Sequence, residues 1–438
     1  MNTRPAANDI VVVGAGIVGA CCALALRKRG FPVHVIDRSE PGEGASFGNA
    51  GVISPWSFVP LALPGIWKQV PGWLANPRGP LKVDWRDVAE FAPWARRFLR
   101  EASEARYPKN ADAMARLIAP CIETYREYLR GSDADRLLVD SMLVSLISGP
   151  APSMDAPAWR LRTERGAALA VLNRDQLHEI EPAVGPAYSG AVLVKGQART
   201  LSPGRLCKAL AELAVRRGAR FTRAVVRGVR LDANGLPQVV LPHETVTADR
   251  LVLAAGAWSV KLLESLESLE SLKSLNLRLP MVGERGYHLV FTRPGVSLNN
   301  SVLDPRLHFI VSSMQDGIRA AGTAEFARLD RPPDFRRAQV LASLTQGMLP
   351  DLNVDETSQW MGTRASFPDS VPVIGPIPGL ERIVAAFGHS HWGMSMAPGT
   401  GLMVAAMIGG DTPFTDPAAY RPDRFESSSV SGFHGRAG

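Results

Sequence analysis

The chain has 438 residues, 46% hydrophobic and 21% charged, with 40 Gly and 34 Pro, a composition that excludes a disordered, coiled-coil or collagen-like protein and predicts two to three domains around a large core. Its 49 Lys+Arg against 42 Asp+Glu give +7, a mild and scattered excess that argues against nucleic-acid binding and leaves only weak attraction to an anionic surface or substrate open. Cys21, Cys22, Cys121 and Cys207 form no CxxC pair and no zinc spacing, so they read as buried free thiols in a reducing compartment, and no metal is expected.

Residues 1–9 are polar, without a charged n-region, twin arginine or cleavage site; the expected location is cytoplasmic, with any membrane contact peripheral and at the inner face. Residues 10–26 are nearly all apolar but short of the ~20 a membrane span needs. Ile10-Val11-Val12-Val13 predicts a central parallel strand, the Ala/Leu-rich run to Leu26 a helix stopped by Gly30, and residues 31–37 the next strand, a βαβ unit. Gly14, Gly16 and Gly19 fill the turn between strand and helix in G-x-G-x-x-G spacing, and Asp37 ends the second strand 18 positions later, close to the spacing of a dinucleotide site. Gly14 permits the tight turn, Gly16 lets backbone amides approach a pyrophosphate, and Gly19 lets the helix sit on the strand, with the helix N-terminus adding partial positive charge. Asp37 would accept from ribose hydroxyls, and its charge argues against a 2′-phosphate. Ala15, Ile17, Val18 and Arg38 join the candidate cofactor contacts. On these residues alone NAD and FAD are equally suited.

Residues 54–94 turn Pro- and Trp-rich and hold five of the nine tryptophans. Within 61–99, Phe91, Trp94, Ala95, Phe98 and Leu99 make an apolar stripe beside Arg96, Arg97 and Arg100. Two readings stand, a lid packed on the core and a peripheral membrane contact. Residues 111–130 predict a helix carrying Met114, Leu117, Ile118 and Ile122, and residues 202–218 another, opened by a Ser202 cap and Pro203. Residues 251–256 predict a buried strand. Residues 263–275 repeat Leu-Glu-Ser at a period that drifts around a helix, and read as a surface expansion without function. Residues 283–293 and 308–324 predict strands of a mixed sheet, 388–408 a Gly-rich loop entering an apolar helix, and 426–438 a disordered Ser/Gly-rich tail.

Four further stretches carry a resemblance. Gly44-Ala45-Ser46-Phe47-Gly48-Asn49-Ala50-Gly51 through Pro55, Leu253-Ala254-Ala255-Gly256-Ala257-Trp258-Ser259, Gly362-Thr363-Arg364 with residues 368–375, and Gly388-His389-Ser390-His391-Trp392-Gly393 through Pro398-Gly399-Thr400-Gly401 resemble, in order, motifs of the D-amino-acid oxidase/dehydrogenase (DAO) family of FAD enzymes. Arg285-Gly286-Tyr287, residues 321–325 and residues 420–425 are most similar to its bacterial D-amino-acid dehydrogenase branch. The resemblance implies a mixed α/β fold: a Rossmann-like FAD-binding domain (1–60, 196–260 and 355–425) and a discontinuous substrate domain (61–195 and 261–354) built on a mixed or antiparallel β-sheet. It implies flavin contacts at Ser46, Asn49, Ala50, Gly51, Ala255, Gly256, Gly388, Gly399, Thr400 and Gly401, and a backbone contact at Val226. Asp37 stands where much of the family has Glu, and Ser202 where many relatives have an acid. No cysteine follows Cys207, so the late-cysteine covalent flavin bond of some relatives is unavailable and FAD is expected without covalent attachment.

The resemblance further implies that Arg364, a planar fork suited to a carboxylate, grips the substrate together with the Tyr287 hydroxyl, with His389 as the third candidate catalytic residue. His288 is expected on the opposite strand face as a structural residue, His391 as a loop histidine bonding backbone, and Arg285 and Arg319 as the next carboxylate anchors. The implied activity is FAD-dependent oxidative deamination of D-amino acids to 2-oxo acids and ammonia, by hydride transfer from substrate Cα to flavin N5, with electrons leaving to a quinone or the respiratory chain. The alternative within the family is a secondary amine, D-proline, hydroxyproline or sarcosine. A nucleotide-binding scaffold without substrate chemistry is opposed by Arg364 and Tyr287 together.

Overall fold

The computed structural model describes residues 9–266, 277 and 279–425; the tail and most of the Leu-Glu-Ser repeat lie outside the described residues. The opening βαβ unit forms as patterned: β1 (Ile10–Val13), α1 (Ile17–Lys28) and β2 (Val33–Asp37). β1 is wholly buried, as a strand covered on both faces must be. Val13 pairs with Ile36 on one side and Leu253 on the other, both in parallel register. The six-stranded sheet runs Val373–Ile377, Leu380–Phe387, Arg250–Leu253, β1, β2, Arg220–Arg223. Only its edge pair Val373–Ile377 and Leu380–Phe387 is antiparallel. The carboxyl ends of its parallel strands open on one edge, where such sheets bind ligands.

Helix Gly393–Gly409 lies against α1 and the helix Tyr107–Ile118. A Cβ at Gly401 would meet Cys21 O at 2.7 Å and one at Gly399 would meet Leu117 O at 2.0 Å, so glycine sets how closely these helices approach. All four cysteines are buried and free.

The second sheet is mixed, with ten strands, and its central path runs Thr357–Ser366, Val282–Phe291, Gly317–Phe326, Phe309–Met314, Ser301–Asp304, Leu138–Ile147, Gly190–Thr200, Val52–Ile53. The strand expected at 308–324 is thus a hairpin. The helix expected at 111–130 is two, Tyr107–Ile118 and Cys121–Leu129, because Pro120 has no N–H to continue the first ladder. Ser202 makes no side-chain cap bond to the helix Pro203–Arg216. Thr357–Ser366, Val52–Ile53 and the end of Gly190–Thr200 belong to the large sheet, although the expected boundaries set them in the cofactor domain.

Segment 61–99 folds over this sheet. Helix Val88–Glu101 buries Phe91 and Trp94; both rings pack on Phe326, and the Trp94 indole donates to Ser366 O at 3.1 Å. Of the apolar stripe, Phe91 and Trp94 thus pack on the large sheet, while Ala95 and Leu99 are exposed. Trp67 and Trp85 stay exposed at 59% and 81%. Among the described residues no helix is long and apolar enough to cross a membrane.

Candidate active site

The loops at the strand ends of the six-stranded sheet and one face of the large sheet enclose a cavity of about 1660 Å³, larger than the 300–1,000 Å³ usual for a small ligand alone. One stretch of its wall is the glycine turn. Gly14 has φ +112°, and a Cβ there would meet Ala254 O at 2.3 Å; at Gly19 it would meet Gly14 O at 1.9 Å. Both glycines are therefore required by the protein itself. At Gly16 a Cβ would meet nothing closer than the Ser46 hydroxyl at 3.4 Å, so no protein atom demands glycine there. Gly16 instead leaves bare backbone in the cavity wall, as close approach of a diphosphate would require.

The turn is held from two sides. Asp37 Oδ2 accepts from Ala15 N at 2.6 Å and its Oδ1 from Ser39 N at 2.9 Å, while the Ser46 hydroxyl accepts from Ile17 N at 2.9 Å. Ser46 thus caps α1 from a loop 29 residues away, since Gly16 has no side chain to do so. The other amides of the first turn have no intrahelical acceptor. Arg38 lies over the Trp258 ring at 4.0 Å, and both line the cavity with Val226, Ala255 and Gly256. The backbone cradle, the acid and the helix end fit the diphosphate and ribose of FAD.

The flavin-loop residues Ser46, Asn49 and Ala50 line the cavity, as do Ile17, Val18 and Gly388. Arg319, read as a reserve carboxylate anchor, clamps this loop from beneath, donating to Phe47 O at 2.7 Å and Asn49 O at 3.0 Å. Arg285 likewise serves backbone, donating to Pro332 O at 3.0 Å and Arg328 O at 2.6 Å. Six expected cofactor contacts do not reach the wall: Ala15, Gly19, Gly51, Gly399, Thr400 and Gly401. Gly51 turns at φ +81° against Thr200 O, and Gly399 and Gly401 are the close-packing glycines of the helix bundle. The wall at this helix comes instead from its first turn, Gly393, Met394 and Ser395.

Arg364 also lines the cavity. Its Nη1 donates to Glu284 Oε1 at 2.7 Å and to Thr323 O at 3.3 Å; Nε and Nη2 have no protein acceptor among the described residues. The guanidinium lies over Gly286, where a Cβ would meet Nη2 at 2.1 Å. Glu284 and Arg364 are directly paired across strands Val282–Phe291 and Thr357–Ser366. Side chains alternate along a strand, so Glu284, Gly286 and His288 share the Arg364 face, and Tyr287 turns to the other. The Tyr287 hydroxyl donates to Glu325 Oε2 at 2.6 Å and accepts from Asp334 N at 2.9 Å. Tyr287 belongs to the cavity wall, but its hydroxyl is engaged by Glu325 and Asp334, which corrects the expectation that it shares one carboxylate with Arg364. His288, expected on the far face, stacks on Trp360 at 5.1 Å.

Both histidines of the Gly-rich turn line the cavity, in different surroundings. His389 is buried, and its Nε2 lies 2.8 Å from Thr400 Oγ1. Burial pushes it down to about 3, which favours the neutral imidazole. His391 lines the cavity, with Nε2 2.7 Å from Glu284 Oε1. Ser366 donates to Glu284 Oε2 at 3.1 Å and its hydroxyl lies 3.0 Å from that of Ser390. Burial would raise the Glu284 carboxyl, but the charges of His391 and Arg364 outweigh it and hold it at about 2. Sequence reasoning missed Glu284; an acid inside a predicted strand, two positions before Gly286, was the available signal.

Residues 9–407 match the family described as FAD dependent oxidoreductase, DAO. The chain is 34% identical to a D-amino-acid oxidase of Bradyrhizobium diazoefficiens over 96% of its length and 100% of that protein's. It is 30% identical to a D-amino acid dehydrogenase of Paramagnetospirillum magneticum over 95% and 99% respectively. In fold it is similar to the crystal structure of glycine oxidase from Geobacillus kaustophilus, with TM-score 0.72 at 21% identity over 95% of this chain and 98% of that one.

Proposed function

This chain belongs to the DAO family of FAD-dependent oxidoreductases, acting on amino donors, and from that premise we propose that it deaminates D-amino acids to 2-oxo acids and ammonia. The observation that carries the substrate reading is Arg364 in the cavity wall, with Nε and Nη2 free of protein acceptors among the described residues. With Nη1 fixed by Glu284 and Thr323 O, the free Nε–Nη2 edge offers a carboxylate two parallel donors. Bound FAD, which we read as non-covalent because no cysteine follows Cys207, supplies the hydride acceptor for the substrate Cα–H. Arg364 fixes the carboxylate plane, and so the direction in which that C–H points.

Beyond Arg364 the wall is apolar. Val83, Phe326, Glu284 and Arg364 lie side by side across four adjacent strands, and Phe326 leads into the Phe91 and Trp94 cluster. This space suits an extended apolar side chain better than the methyl group of sarcosine. The dehydrogenase name of one relative supports an acceptor other than oxygen and the oxidase name of the other supports oxygen; we read the acceptor as a quinone or the respiratory chain.

The test is anaerobic bleaching of the yellow holoprotein by a panel of D-amino acids, L-amino acids, cyclic imino acids and sarcosine. Bleaching by D-amino acids with apolar side chains is expected. Bleaching by secondary amines alone would move the reading to the alternative substrate, and reoxidation by oxygen as fast as by a soluble quinone would remove the acceptor reading.

A further inference from the structure

Arg364 is compensated before any substrate arrives. Glu284 is 1% exposed and its carboxylate accepts from Arg364 Nη1. A second carboxylate entering this low-dielectric wall meets an ion pair of zero net charge, next to an acid that repels it. A further positive charge is needed.

His391 is the group placed to provide it. Its Nε2 stands 2.7 Å from Glu284 Oε1, its ring lines the cavity, and Nδ1 has no protein partner among the described residues. The positive-φ turn at Ser390 and the Ser366–Ser390 hydroxyl contact fix the loop that carries it. The charged and titratable groups around it are Glu284 from one strand, Arg364 from the next and buried, neutral His389 on its own turn. Imidazole is the side chain whose charge changes in the physiological range.

We propose that His391 accepts the proton of the substrate's α-ammonium, and that the Glu284–His391–Arg364 cluster takes up a carboxylate only together with one proton on His391. The inference rests on the reading of this site as an amino-acid site. With a D-amino acid the proton comes from the substrate itself. The N–H bond breaks, the proton bonds to the imidazole, and the electron pair stays on nitrogen as the neutral amine that oxidation requires. Arg364 and His391 then balance Glu284 and the substrate carboxylate. A carboxylate without an amine must draw that proton from water.

Benzoate is the probe, chosen to suit the aromatic wall, and its binding to the holoprotein is followed by the flavin spectrum and by calorimetry in buffers of different ionisation enthalpy. We expect benzoate binding at alkaline pH to be accompanied by proton uptake, with affinity falling as the pH rises. His391→Gln should bind more weakly, without proton uptake and without pH dependence. Glu284→Gln should bind more tightly and also without uptake, the reverse of what loss of a structural acid does. For a D-amino acid, kcat/KM should be level between about pH 7 and 9 in the parent protein, and in His391→Gln should rise about tenfold per unit, because only substrate already neutral in solution reacts. Benzoate binding by the parent without proton uptake overturns the proposal, as do identical pH profiles for parent and His391→Gln. If benzoate behaves as stated but no amino acid bleaches the flavin, the cluster assignment stands and the substrate reading falls.

Discussion

Arg364 lines the cavity and commits one nitrogen to Glu284, with Nε and Nη2 free of protein acceptors among the described residues, and that division decides what its replacements do. A lysine at 364 has a single ammonium, which the buried Glu284 carboxylate captures, so nothing remains for the substrate. We expect kcat/KM for a D-amino acid to fall on the order of a hundredfold or more in Arg364→Lys, since misplacement by about 1 Å costs that much, while FAD content per chain, read from the spectrum, stays unchanged. Near-normal turnover by Arg364→Lys would place the anchor elsewhere. The same pair gives an acid limit. Glu284 sits at about 2 against an ordinary 4.5, so its contribution to stability is complete above pH 4.5 and is lost as the pH falls toward 2. Arg364 was legible because it stands in a compact motif. Glu284 was not, because its partner is 80 residues away and only the antiparallel register sets them side by side. Tyr287 was misplaced for a related reason, since adjacent residues of a strand face opposite ways and the sequence does not mark which face is the cavity.

Helix Gly393–Gly409 has Pro398 inside it. Proline has no N–H, so the carbonyl four residues earlier, Met394 O, loses its helical partner. The Tyr125 hydroxyl from helix Cys121–Leu129 takes that place at 2.7 Å. The helix keeps its first turn, which lines the cavity, and its direction is pinned to a neighbour. Tyr125→Phe preserves the ring and leaves Met394 O buried without a donor; we expect a loss of about 1–3 kcal/mol in denaturant unfolding, at constant m-value. Unchanged stability would show that water serves the carbonyl instead. The glycine turn at 14–19 could be read directly, because strand, turn and helix are consecutive in the chain and each glycine has a local duty. Gly399 and Gly401 carry the same residue type for another reason, contact with Leu117 and Cys21 of two other helices. Nothing in a single sequence separates a glycine that faces a cofactor from one that faces a helix.

At the scale of the whole molecule, the six-stranded sheet and the large mixed sheet meet around the cavity instead of packing directly on each other there. The wall takes Gly14 to Arg38 from the first, Glu284 to Phe326 and Trp360 to Arg364 from the second, and residues of 61–99 from above. The order of strands within each sheet was not legible, because β1 lies between strands drawn from residues 33–37 and 250–253, and no local pattern records that adjacency. Residues of both sheets line this one cavity, and FAD bound there would contact both. Stability should therefore depend on FAD as a single unit. A ligand that binds only the folded state adds about 2.7 kcal/mol at a hundredfold excess over Kd, and for a chain of this length that is a rise of roughly 3–5 °C in Tm. We expect that rise on adding FAD to protein stripped of flavin. NAD should give none, because it lacks the flavin moiety of the cofactor this family uses. Limited proteolysis should report the same coupling, with cleavage near residues 61–75 and near residues 388–393 suppressed together. Protection of one segment without the other, or an equal shift with NAD, would mean that the cavity closes on the adenosine end alone and that the two sheets are held together by protein contacts.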